Sequence, residues 1–169
     1  MGFGQHNDGA RFINVSNGKM HYKDGDEKRT ADWYEGMLQR VEFIEDEYQG
    51  SITQKVVLTM QDDKSETVKL KFTLEGWYSY GFFARIASVD LTQPFRLGVF
   101  GSEDNTKVSF CYIRQGDKKI ESDKTYPKPV KAKVGTKEVV DWSAFLERVK
   151  LTMAQLDKSS GQKHDDLPF

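Results

Sequence analysis

Apolar and polar residues alternate with period two through most of the first two thirds of the chain, the signature of half-buried strands. Arg11-Phe12-Ile13-Asn14-Val15 and Lys19-Met20-His21-Tyr22 flank a Ser16-Asn17-Gly18 turn and predict a hairpin. The polar run from Lys23 to Asp32 reads as a loop, and the first nine residues as a frayed end. A long strand is expected from Met37 to Tyr48, with Val41 and Phe43 on one face and Leu38, Arg40, Glu42 and Ile44 on the other. Gln49-Gly50 closes it. From Ser51 to Met60, Ile52, Val56, Leu58 and Met60 alternate with Thr53, Lys55 and Thr59. Past a charged turn at Asp62-Asp63-Lys64-Ser65, Val68, Leu70, Phe72 and Leu74 alternate with Thr67, Lys69, Lys71 and Thr73.

After Gly76 the spacing becomes helical. Trp77, Tyr78, Phe82, Phe83, Ile86 and Val89 recur at steps of one, three and four, with Gly81 a weak point. Two further strands are expected, Pro94 to Phe100 and Thr106 to Ile113. Three strands, a helix and two strands is the order of an OB-fold, a five-stranded Greek-key barrel; another α+β roll fits the same order. The expected fold is therefore mainly β, an OB-like barrel with an N-terminal hairpin and a C-terminal helix. Lys118 to Lys137, basic and holding Pro127 and Pro129, reads as an arm or long loop. A helix is expected from an N-cap near Asp141, with Trp142, Phe145, Leu146, Val149, Met153 and Leu156 on one face. Ser159 to His164 reads as a linker, dividing the chain into one domain over 1–158 and a tail over 159–169.

Composition narrows the class. Charged residues at 30% alongside 37% apolar ones fit a globular domain rather than a disordered chain. No stretch approaches the roughly 18 apolar residues of a membrane span, and no secretory leader is legible. The single cysteine, Cys111, suits a reducing cytoplasm and reads as a half-buried strand residue. Net charge is −1, but unevenly spread. Asp24 to Glu47 holds nine acids against three bases, a net −6, whereas Lys107 to Lys137 holds nine bases against three acids, a net +6. Such a gradient can make one surface attractive to phosphate in a neutral molecule.

No catalytic constellation is legible. Asp62-Asp63 and Glu45-Asp46-Glu47 are conceivable metal ligands for a nuclease, yet adjacent strand residues point to opposite faces. His6, His21, His164 and Cys111 lack zinc spacing, and no phosphate-binding loop or nucleophile elbow is present. Neither metal, cofactor nor enzymatic activity is expected.

The chain ends Asp165-Asp166-Leu167-Pro168-Phe169. These residues resemble the C-terminal tip of bacterial single-stranded DNA-binding proteins, where two acids, an aliphatic residue, proline and a terminal phenylalanine dock genome-maintenance enzymes. A terminal Phe169 offers its ring and its α-carboxylate together, and only a chain end can do so. Asp165 and Asp166 add attraction to a basic rim. Pro168 narrows the conformations of the free peptide. More loosely, the body resembles phage-encoded single-stranded DNA-binding proteins, with Gly18-Lys19 in a leading hairpin and Tyr48-Gln49-Gly50 in the meander. It lacks the usual bacterial N-terminal strand signature, and its linker is short. The resemblance implies binding and protection of single-stranded DNA in replication, recombination or repair, in the cytoplasm of a bacterial or phage-infected cell. An adaptor with a docking tail and no DNA binding is the first alternative, and a metal-dependent nucleic-acid enzyme the lesser one.

Sequence-tolerant binding of single strands needs cations along a groove and aromatic faces for stacking. Lys55, Lys69 and Lys71 lie opposite the apolar set of the second and third strands, the usual nucleic-acid face of an OB-fold. Arg40, Arg96 and Arg114, with Lys131 and Lys133 on the basic arm, are further cationic candidates. Phe43, Phe72 and Phe110 read as core by alternation. Trp33, Tyr34, Trp77, Phe100, Tyr112 and Tyr126 are the candidates for stacking.

Overall fold

The computed structural model describes residues 11–160. In chain order its elements are β1 Arg11–Ser16, β2 Lys19–Asp24, β3 Glu27–Ala31, β4 Trp33–Tyr48, β5 Ser51–Gln61, β6 Thr67–Thr73, α1 Trp77–Ile86, β7 Phe95–Gly101, β8 Ser109–Gln115, β9 Lys118–Lys119, β10 Val130–Val134, β11 Lys137–Asp141 and α2 Ser143–Ser160. The fold is mainly β with a C-terminal helix, as the alternation predicts. Nine strands form one sheet in the order β3-β2-β1-β6-β5-β4-β7-β8-β9. All neighbours are antiparallel except β1 and β6.

The hydrogen-bonded ladder does not close, so the expected barrel is not formed by strand pairing; β3 and β9 remain as edges. The sheet curls strongly all the same. β3 runs into β4 through the single residue Asp32, whose carbonyl accepts the Val99 N–H of β7 at 2.9 Å. One edge of the sheet is thereby led back to its middle. The β1–β2 turn rests on the end of β7, where a Cβ on Gly18 would lie 2.8 Å from Gly101 Cα. Only glycine fits that approach, and its φ of +74° suits the turn. The Gly18 N–H donates to Ser109 Oγ at 2.9 Å.

The concave face holds the core: Ile13, Met20, Val41, Leu58, Leu70 and Phe72 from one half, Phe95, Leu97, Val99, Cys111 and Ile113 from the other. α1 plugs it with Tyr78, Phe82, Phe83 and Ile86. Gly81 lets the helix approach β8, since a Cβ there would be 3.0 Å from Cys111 Cβ. α2 buries Phe145, Val149, Met153 and Leu156, with Trp142 and Leu146 partly covered, the face expected from its periodicity. Asp141 accepts from the Ser143 N–H and Oγ at its start. The helix runs through Ser160, past the expected boundary at 158.

Two expectations are corrected. Lys23 to Asp32 is not a loop: Gly25, at φ +64°, turns the chain so that Glu27–Ala31 pairs with β2. Nor is Lys118 to Lys137 a free arm. Ile120 and Tyr126 are buried, and the Asp123 N–H donates to the Ala84 carbonyl at 2.7 Å. Only β10 and β11 project, as a two-stranded ribbon.

Candidate nucleic-acid interface

The decisive local feature is a β-bulge in β4. Leu38 is opposite Met60, but Arg40 rather than Gln39 is opposite Thr59. One extra residue reverses the facing of everything before it. Arg40, Glu42 and Ile44 face outward as expected, whereas Leu38 faces inward with Met60, contrary to the strict alternation. The same inversion turns Trp33 and Glu35 outward and Tyr34 inward.

Register then assembles a face. Trp33 is opposite Gly98 and Glu35 opposite Arg96; Gly98 is opposite Tyr112, Arg96 opposite Arg114, Phe100 opposite Phe110, and Arg114 opposite Lys119. All belong to the outer side of β4, β7, β8 and β9, because Leu97, Val99, Cys111 and Ile113 face the core. Phe100 stacks on Phe110 with centroids 5.4 Å apart and lies 6.3 Å from Tyr112. Arg96 places its guanidinium 3.8 Å from the centroid of Trp33, while its Nε meets Glu35 Oε1 at 3.8 Å. Trp33 and Phe100 are 46% and 50% exposed, leaving π-faces open to a ligand. At Gly98 a Cβ would lie 2.0 Å from Tyr112 Cζ, so the absence of a side chain lets the Tyr112 ring lie flat across β7.

A hollow of about 560 Å³ is lined by Arg96, Arg114 and Lys119, by the acids Glu35 and Asp117, and by Phe100 and Tyr112 among others. A second, of about 470 Å³, runs past Gly18, Lys19, Asp32, Phe100 and Thr106. Phe100 borders both, so an extended ligand running from one to the other would trace a track past its ring. Beside the second hollow, Lys19 Nζ pairs with Asp32 at 2.6 Å.

Five candidates, Trp33, Arg96, Phe100, Tyr112 and Arg114, are thus brought together. The others are elsewhere. Lys55, Lys69, Lys71 and Arg40 share the outer face of β4, β5 and β6, as alternation predicts, but acids of β4 engage two of them. Lys71 pairs with Asp46 at 3.0 Å and Arg40 with Glu42 at 3.7 Å, while Lys55 donates to Thr73 Oγ1 at 2.9 Å. No aromatic from β5 or β6 faces outward among them.

Two stacking candidates, Tyr34 and Tyr126, are corrected, and a third, Trp77, lies apart from the others. Tyr34 is turned into the sheet with its hydroxyl buried, and burial, reinforced by the nearby Asp62 and Glu66 charges, pushes its pKa up to about 12. Tyr126 lies beneath α2, its hydroxyl 2.8 Å from Thr152 Oγ1, and burial pushes its pKa to about 12. Trp77 packs edge-on against Tyr80 and Trp142 at 5.7 and 6.0 Å and stays 38% exposed, away from the face of β4, β7 and β8. Lys131 and Lys133 are exposed on the β10–β11 ribbon, with Lys131 3.6 Å from Glu138. The tail residues Asp165, Asp166, Leu167, Pro168 and Phe169 lie outside the described residues.

Sequence reasoning missed Phe110, Glu35, Gly98 and Lys119. Alternation of Val108, Phe110 and Tyr112 reads Phe110 as core; β8 is apolar on both faces, and α1, packed on Cys111, puts the other face inside. Among the described residues no group of three or more His, Cys, Asp and Glu could hold a metal, and no helix is long and apolar enough to cross a membrane. Comparison of the chain with protein-family models, curated proteins and solved structures found no match.

Proposed function

We propose that this chain binds single-stranded DNA on the outer face of β4, β7 and β8, using a curled OB-type body, and recruits replication or repair proteins through its Asp165-to-Phe169 tip. The observation that carries the reading is the convergence of Trp33, Phe100, Phe110 and Tyr112 with Arg96 and Arg114 on one open face. Two features support the OB-type body: α1 falls between the third and fourth strands of the meander, and the long β4 is shared by β5 and β7. The aromatic rings stack bases of any identity, and the guanidiniums hold the intervening phosphates. Arg96 couples the two roles, because a phosphate can displace Glu35 while the guanidinium stays on Trp33. No step in this function requires a catalytic group or a cofactor. Titration of labelled oligo-dT and of a duplex of equal length, at several salt concentrations, tests it. Single strands should bind more tightly, with log K falling about 0.7 for each phosphate neutralised per unit of log salt. Duplex binding of equal strength, or none at low salt, contradicts it.

A further inference from the structure

β10 and β11 pair with each other and with no other strand among the described residues, and all ten of their residues are exposed. An isolated two-stranded ribbon is marginally stable in water; three or more strands with an apolar face are needed. This ribbon has a face with an apolar centre. Its register sets Val130, Ala132, Val134 and Val139 on one side together with Lys137 and Asp141, and Val130 and Val134 are 58% and 68% exposed. What it lacks is further strands.

The two free edges differ in what they can accept. Antiparallel pairing of β10 with a second copy of itself about Ala132 sets Lys131 against Lys133, twice. Like charges directly opposite destabilise a ladder. Pairing of β11 with itself about Val139 sets Lys137 against Asp141, twice, with Val139 meeting Val139 on the axis. Opposite charges then flank an apolar centre. The backbone agrees. Gly135-Thr136 is a two-residue turn, with Gly135 at φ +67°, so the flanking pair Val134 and Lys137 exchange hydrogen bonds. By alternation Val139 and Asp141 also direct their amides to β10. Glu138 and Val140 direct theirs to the open edge, and pairing about Val139 matches Glu138 of each copy with Val140 of the other.

We infer that β11 is a homodimer interface, joining two ribbons into a four-stranded sheet whose one face gathers Val130, Ala132, Val134 and Val139 from both copies. Isologous contact of this kind is the commonest route to a closed oligomer. The inference is independent of the DNA reading.

Sedimentation velocity of the full chain tests it, at concentrations up to about 100 μM. The wild type should sediment as twice its 19.4 kDa mass. Val139→Asp and Val139→Lys each place like charges across the two-fold axis, so each should sediment as a monomer. An equimolar mixture of the two should restore the dimer, because unlike charges then meet on the axis; this also shows that neither variant is misfolded. A monomeric wild type, a dimeric Val139→Asp, or a mixture that stays monomeric overturns the inference. A monomeric wild type whose affinity for oligo-dT falls in Val139→Asp would assign the ribbon to DNA instead.

Discussion

Replacing Phe100 with Ala isolates the stacking contribution from the fold. The ring is half exposed and rests on Phe110 at 5.4 Å, so truncation forfeits only about half the burial of a phenylalanine, roughly 1 kcal/mol of stability. Phe100 borders both hollows, however, and any strand following the track must pass it. A stacked base contributes about 1–3 kcal/mol, so the dissociation constant for oligo-dT should rise about 5- to 150-fold. Phe100→Leu keeps apolar bulk without a π-face and should recover little of that loss; Phe100→Tyr should recover most. Leu151→Ala, a truncation of another exposed apolar residue, on α2, should change affinity less than twofold. Fluorescence anisotropy of labelled oligo-dT at fixed low salt reads all four, with thermal unfolding as the control for folding. A Phe100→Ala protein that is folded and binds within twofold of wild type would refute the placement of the track.

Three further outcomes rest on the described geometry and a fourth on the C-terminal tip. Arg96→Ala with Arg114→Ala should flatten the salt dependence by about 1.4 units of slope, whereas Lys55, Lys69 and Lys71 replaced together should change it less, because β4 acids and Thr73 already engage two of the three; equal flattening would return the site to β5 and β6. Tyr126→Phe should lower stability by about 0.5–1.5 kcal/mol in chemical denaturation without affecting oligo-dT binding, since only the bond to Thr152 is lost. In the wild type, the raised pKa values of Tyr34 and Tyr126 mean stability is intact below pH 10 and lost as pH rises toward about 12, because the unfolded phenols ionise first. Deleting Phe169, or adding one residue after it, should abolish capture of host replication or repair proteins in a pull-down while leaving DNA affinity level or slightly higher; equal recovery would mean the tip is inert.

Much of the fold was legible because its strands obey a two-residue period and α2 a helical one. Val68, Leu70 and Phe72 face inward as their spacing requires, and Phe145, Val149 and Met153 form the buried stripe of α2. The candidate site was less legible for three physical reasons. The bulge at Gln39 inverts the facing of Trp33 and Tyr34, and no composition signal marks a bulge. β8 carries apolar residues on both faces, so only packing by α1 decides between Phe110 and Cys111. Glu27 to Ala31 is polar and exposed, and becomes a strand through pairing with β2 rather than through its own pattern. Charge counts were equally blind to partners: Lys71 and Asp46 are 25 residues apart in sequence and 3.0 Å apart in space.

The three tryptophans offer the most direct test of the DNA face. Trp77 and Trp142 are in contact at the seam of the two helices, and Trp33 alone lies on the outer face of β4, β7 and β8. Base stacking on Trp33 should quench intrinsic fluorescence as oligo-dT is added. The quench should be lost in Trp33→Phe, which still binds by anisotropy, and kept in Trp142→Phe. A quench that survives in Trp33→Phe, or that disappears in Trp142→Phe, would contradict the account and move the bound strand to another surface.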